Sequence, residues 1–123
     1  MNVVIADDDA DLRELVTIAV EKAGFDVAAA VGTGTDAWAA LQETPVDLAV
    51  LDISMPGMTG LEVVRRVRAD ERLHDLTVLI ITADGSAGIA DEVREAGANG
   101  LVTKPFQVRE LVRSLRDLAE AAR

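Results

Sequence analysis

The sequence predicts an α/β fold: a single five-stranded parallel sheet, doubly wound as (βα)5. Two observations predict it. Short apolar segments, several of them β-branched, alternate five times with segments whose apolar residues recur at helical spacing. The strand-like segments are also apolar at consecutive positions, the pattern of strands covered on both faces. Right-handed crossovers between such strands give an open, doubly wound sheet.

Each element follows in order. Val3-Val4-Ile5-Ala6 reads as a buried strand that stops at Asp7-Asp8-Asp9. Leu12, Leu15, Val16, Ala19 and Val20 then share one helix face, and Gly24 supplies a residue that can end that helix. Asp9 is suited to cap its start. Phe25 to Val31 is a second strand, weakened by its alanines. Gly32-Thr33-Gly34-Thr35 reads as a turn before a short helix carrying Ala37, Trp38 and Leu41, with Pro45 beyond its end.

Val46 to Leu51 is the third strand, closed by Asp52, and Ile53 to Thr59 is a loop containing Pro56 and Gly57. Leu61, Val64 and Val67/Arg68 mark a third helix with basic residues outward. Thr77 to Ile81 is the most strand-like segment, closed by Thr82. Ile89, Val93 and Ala96 mark a fourth helix, ended by Gly97. Leu101-Val102-Thr103 is the fifth strand, and after Lys104-Pro105 a last helix carries Val108, Leu111, Val112 and Leu115.

Composition narrows the function classes. The chain has 123 residues, half of them apolar, enough for one core, and it reads as one domain over residues 1–123. Nowhere do apolar residues run long enough to span a membrane, and no secretory signal opens the sequence. No cysteine is present, so neither a disulfide framework nor a thiolate metal site can form. A cytoplasmic location is expected. The formal charge of −10, from 22 acidic and 12 basic residues, repels phosphate backbones, so direct nucleic-acid binding is not expected. Two phenylalanines and one tryptophan are too few for a base-stacking platform.

The informative residues stand where strands end. In a parallel sheet those carboxyl ends share one edge, and ligands bind there. Asp7, Asp8 and Asp9 follow the first strand, Asp52 the third, Thr82 the fourth and Lys104 the fifth. Crowded carboxylates repel by roughly 4 kcal/mol per pair at about 4 Å and an effective dielectric near 20. A hard divalent cation with oxygen ligands relieves that cost, and a site with few protein ligands suits Mg²⁺. Lys104 is expected to be the only fixed positive charge nearby; it is one of two lysines against ten arginines, and a compact point charge suits the place. A cation, a lysine and a threonine hydroxyl around a lone carboxylate suit phosphoryl transfer, with the carboxylate attacking in line.

At these residues the chain resembles the receiver domains of response regulators, including the stand-alone chemotaxis regulators. The segments that carry it are Ile5-Ala6-Asp7-Asp8-Asp9, Leu51 to Gly60 around Asp52 and its Met55-Pro56-Gly57 loop, Ile81-Thr82-Ala83, and Thr103-Lys104-Pro105-Phe106. The resemblance implies a flavodoxin-like strand order 2-1-3-4-5 and a cis peptide before Pro105. It implies that Asp52 takes a phosphoryl group from a histidine kinase or phosphotransfer protein. Asp8, Asp52 and the Ser54 carbonyl would bind Mg²⁺, with Asp7 acting through a metal-bound water. The Thr82 hydroxyl and the Ala83 N–H would contact the phosphoryl oxygens, and Lys104 would pair with one. The chain would be an acceptor switch and not an enzyme, assisting its own phosphorylation and dephosphorylation. One departure stands out: Leu101 occupies the place of the family's aromatic switch residue.

Three other readings compete. A haloacid-dehalogenase-type phosphatase also has aspartates after its first strand, but Asp7 to Asp11 lacks its pattern and the chain is short for a cap domain. A flavodoxin-like cofactor binder would cradle phosphate after the first strand, where three aspartates repel it. The third concerns context: a stand-alone regulator is favoured, the alternative being the receiver half of a longer transcription factor or hybrid kinase. The fourth helix, fifth strand and fifth helix are expected to form the switching surface, facing an unknown downstream protein or a homodimer formed on phosphorylation.

Overall fold

In the computed structural model, residues 1–122 are described, and they form the expected architecture. The order is β1 (Asn2–Ala6), α1 (Ala10–Lys22), β2 (Asp26–Val31), α2 (Gly34–Glu43), β3 (Leu48–Asp52), α3 (Gly60–Ala69), β4 (Thr77–Thr82), α4 (Ala87–Ala96), β5 (Gly100–Thr103) and α5 (Val108–Ala121). The five strands are parallel in the order β2-β1-β3-β4-β5, as expected. Arg123, the last residue of the expected domain, lies outside the described residues.

Boundaries differ from the sequence reading by one or two residues, each for a visible reason. Asp52 and Thr82 are the last residues of β3 and β4 because both still pair across the sheet, Asp52 with Ile81 and Thr82 with Thr103. The expected turn at 32–35 is shorter: Thr33 caps α2, accepting from the Asp36 N–H, and the helix already begins at Gly34. A side chain at Gly34 would collide with the Met58 carbonyl oxygen at 1.8 Å, so glycine there lets α2 press against the loop after β3.

Alternate strand residues feed two separate apolar layers. Val4, Ala6, Ala49, Leu51, Val78 and Ile80 pack with α2, α3 and α4. Val3, Ile5, Leu48, Val50, Leu79 and Ile81 pack with α1 and α5. The consecutive apolar runs are thus two interleaved period-two patterns, one for each covered face.

Helix ends are set by local chemistry. Asp9 caps α1, accepting from Asp11 N and Leu12 N. Thr59 and Glu62 form a reciprocal capping box on α3, and Ser86 caps α4. Gly97 ends α4 in the left-handed conformation at φ 103°. The basic residues of α3 divide. Arg65 and Arg66 are exposed, whereas Arg68 turns back into the protein. It donates to the carbonyls of Gly97 (2.9 Å), His74 (2.8 Å) and Leu76 (2.6 Å) and to Asn99 Oδ1 (2.8 Å), tying α3 to the end of α4.

Candidate functional site

The carboxyl edge of the sheet gathers the acids. Carboxylate oxygens of Asp7, Asp8 and Asp52 all lie within 4.8 Å of one another. Asp7 and Asp52 are buried at 1% and 6% exposure, while Asp8 is exposed at the rim. The reason is topological: β1 and β3 are adjacent in register, so residues just past Ala6 and Leu51 emerge side by side.

Lys104 reaches this cluster from the end of β5. Its Nζ lies 3.3 Å from Asp7 Oδ2 and 3.4 Å from Asp52 Oδ1, bridging the two buried acids. The Lys104 N–H donates to the Thr82 carbonyl, which seats the lysine beside β4, and the Lys104–Pro105 peptide is cis, as the resemblance implied. Burial holds the Asp52 carboxyl above its ordinary pKa. Lys104 opposes that rise, Asp7 adds to it, and Asp8 adds least.

Asp7 Oδ1 accepts from the Asp9 N–H at 2.9 Å, but its other oxygen has no hydrogen-bond donor, because Lys104 approaches it as a charge outside hydrogen-bond geometry. A buried carboxylate oxygen without a donor costs free energy unless something electropositive faces it. Hard oxygen ligands converging from two strands, one of them left without a donor, fit a divalent cation and could bind a metal.

The remaining expected residues lie at or just past the ends of β3 and β4. Thr82 is buried, and its hydroxyl accepts from the Asp84 N–H at 3.0 Å. Ala83 and Ser54 are exposed, on the loops that follow β4 and β3. Gly60 backs Asp52 directly: a Cβ there would meet the Asp52 carbonyl oxygen at 2.2 Å. Its N–H donates to the Ile53 carbonyl at 2.8 Å, closing the loop behind the acid.

Two features escaped the sequence reading. Lys104 is not the only cation near: the Arg13 guanidinium donates to the Asp7 carbonyl oxygen at 2.9 Å, bracing the backbone that presents the acids. Its position two turns of sequence from Asp7 carried no signal, since a helix-face arginine ordinarily points to solvent. The closeness of Gly60 was equally hidden, because a glycine opening a helix also reads as a simple boundary.

Fold and site together define a class: a doubly wound α/β domain whose switch-point edge carries an acidic pocket with a lysine across it. Comparison with known proteins makes this specific. The family model of the response regulator receiver domain matches residues 3–116, and the chain belongs to that family. It is 38% identical over 120 residues to the chemotaxis protein CheY of Pseudomonas aeruginosa, covering 98% of this chain and 97% of that protein. It is 37% identical over 114 residues to the phosphate regulon transcriptional regulatory protein PhoB of the same organism, covering 93% of this chain but 49% of PhoB. Among solved structures, the chemotaxis response regulator CheY4 of Vibrio cholerae superposes with a TM-score of 0.88 at 31% identity, over 95% of this chain and 97% of that one. A LuxR-family DNA-binding response regulator from Staphylococcus aureus gives 0.87 at 29% identity, over 96% and 98% of the two chains. The relatives therefore include both a protein of matching length and DNA-binding regulators of which this chain spans about half. The chain is a receiver domain of the two-component kind.

Proposed function

We propose that residues 1–123 form one phosphoacceptor switch, in which Asp52 receives a phosphoryl group from a histidine kinase or phosphotransfer protein. One observation carries this reading: Asp7, Asp8 and Asp52 converge at the sheet edge with Lys104 bridging the two buried acids. In the transfer, an Asp52 carboxylate oxygen forms a bond to phosphorus as the bond to the donor's histidine nitrogen breaks, the nitrogen keeping the electron pair. Lys104 sits where it can hold charge on a phosphoryl oxygen, and the Thr82 hydroxyl and Ala83 N–H are the proposed donors to the others.

Asp8, Asp52 and the Ser54 carbonyl are proposed to hold Mg²⁺, with Asp7 reached through water. The bound cation would neutralise the crowded oxygens of acids and phosphoryl group. The raised pKa of Asp52 supports this, because an acceptor disfavoured in its charged form by burial, and further by Asp7 and Asp8, needs that neutralisation before it can act ionised.

Phosphorylation adds charge and acceptor oxygens beside Thr82. The Thr82 hydroxyl is linked to the β4–α4 loop through the Asp84 N–H, and Asp84 Oδ1 accepts in turn from the Ser86 N–H that opens the α4 cap. A shift at Thr82 is therefore proposed to alter the α4–β5–α5 surface as a population change between two packings. With Leu101 where the family has an aromatic ring, the loop carries more of that coupling. The altered surface would act on a downstream protein or on a second copy of the chain, in the cytoplasm.

Intact mass after acetyl phosphate, with and without Mg²⁺, tests the reading. A gain of one phosphoryl group in the presence of metal, lost in Asp52→Asn, is expected. Labelling that persists in Asp52→Asn would overturn the acceptor assignment.

A further inference from the structure

We propose that the groove along α5 beside the end of α1 is a docking site for an acidic amphipathic helix of a partner protein. This goes beyond the phosphoacceptor reading and does not depend on it. The groove, of about 500 Å³, is lined by Lys22, Val108, Arg109, Val112, Arg113 and Arg116, with Asp117 the one acid on its wall. In a chain of net charge −10, these four cations would be expected to find carboxylate partners. Among the described residues, no carboxylate oxygen lies within 4.0 Å of any of the four cationic groups. Arg116 is instead held by the Lys22 carbonyl and Arg109 by Gln107 Oε1, so two of the cations are fixed in place and still free of counter-charge.

Geometry selects the occupant. Arg109, Arg113 and Arg116 recur at i, i+4 and i+7, and half-buried Val108 and Val112 run beside them at i and i+4. That spacing extends about 10 Å along the helix and matches two turns of a second helix carrying acids on either side of an apolar residue.

Charge excludes the other occupants. A nucleic acid or anionic membrane is an extended polyanion and meets the repulsion of the whole −10 chain. A short acidic helix seated in the groove meets its lining directly, and that lining carries four cations against one acid. A second copy joined face to face through this groove would set cations against cations.

The test uses the full chain and a fluorescent synthetic 18-residue helix with glutamates flanking a leucine stripe, against a scrambled peptide of the same composition. Saturable binding is expected, weakened at least tenfold by scrambling and by the double variant Arg109→Glu/Arg113→Glu. The variant Arg65→Glu/Arg66→Glu, which alters exposed cations of α3, should bind as the parent does. Amide shifts should map to residues 108–117 and Lys22. If charge reversal unfolds α5, Arg109→Gln/Arg113→Gln should still weaken binding several-fold. Equal weakening by the α3 variant overturns the proposal, as does tighter binding of duplex DNA or phosphatidylserine vesicles at the groove. A dimer abolished by Arg109→Glu/Arg113→Glu overturns it too. The phosphoacceptor reading is separated by two controls: Asp52→Asn should bind the peptide normally, and Arg109→Glu/Arg113→Glu should still accept a phosphoryl group.

Discussion

Asp52 is kept in a position that disfavours its own charge, since burial and its two acidic neighbours raise its pKa against the pull of Lys104. The consequence for stability has a definite sign. Between the ordinary carboxyl pKa and the raised native value, the folded protein holds a proton that the unfolded chain has released. Without divalent metal, stability therefore falls as pH rises through that window and stays lower above it. Asp52→Asn should flatten this dependence and stabilise the metal-free protein at neutral pH by about 1 kcal/mol, the usual size when a strained functional group is removed. Urea unfolding of both proteins across acidic and neutral pH measures it, and a steeper slope in the variant would contradict the assignment. Lys104→Met acts in the opposite direction. It leaves Asp7 and Asp52 buried without their cation, and should cost about 1–2 kcal/mol, the buried-pair figure discounted for partial exposure.

At the scale of elements, the entry to α3 and the exit from it carry the most specific chemistry. Thr59 and Glu62 satisfy the first turn reciprocally, and Gly60 lies against the backbone of Asp52. Gly60→Ala should therefore displace the strand end that presents the acid. An unfolding loss of about 3 kcal/mol is expected, with weakened metal binding, because overpacking against backbone cannot be relieved by rotating a side chain. Thr59→Ala, which removes only the cap, should cost about 1 kcal/mol and leave metal binding intact. At the other end, Arg68 satisfies three carbonyls and Asn99 from one guanidinium. Burial lowers its pKa, partly offset by Asp75, yet guanidinium remains charged in proteins. Arg68→Lys should lose about 2 kcal/mol despite keeping the charge, since a single ammonium cannot reproduce the fork. Equal thermal midpoints for Arg68→Lys and the parent would show that charge alone matters there.

For the molecule as a whole, two apolar layers hold the sheet rigid while the acidic edge stays under tension. A ligand that binds only the folded state stabilises it by mass action. Mg²⁺ at a hundredfold excess over its dissociation constant should raise unfolding free energy by about 2.7 kcal/mol. Asp8→Asn should remove most of that gain while changing metal-free stability little, because Asp8 is exposed. A thermal midpoint indifferent to Mg²⁺ in the parent protein would count against metal binding at this edge. The same rigidity frames the switch. The sheet fixes the site, so adjustment is expected in the β4–α4 loop, where residues 83–86 are all exposed.

What the chain by itself determined was local or periodic. Apolar runs specified the strands, helical spacing specified the helices, and Asp9, Gly24 and Gly97 marked helix ends where the structure has them. The candidate site was also legible, because parallel strands deliver their carboxyl ends to one edge, so Asp7, Asp8, Asp52, Thr82 and Lys104 could be grouped without coordinates. Tertiary structure alone decided which atoms meet. Lys104 bridges Asp7 and Asp52, Arg68 reaches Asn99 across 31 residues, Arg13 braces the Asp7 carbonyl, and Gly60 gives way to Asp52. The physical reason is that spacing along a strand or helix fixes the direction of a side chain, whereas contact between distant segments depends on how rigid elements settle against each other in the packed core.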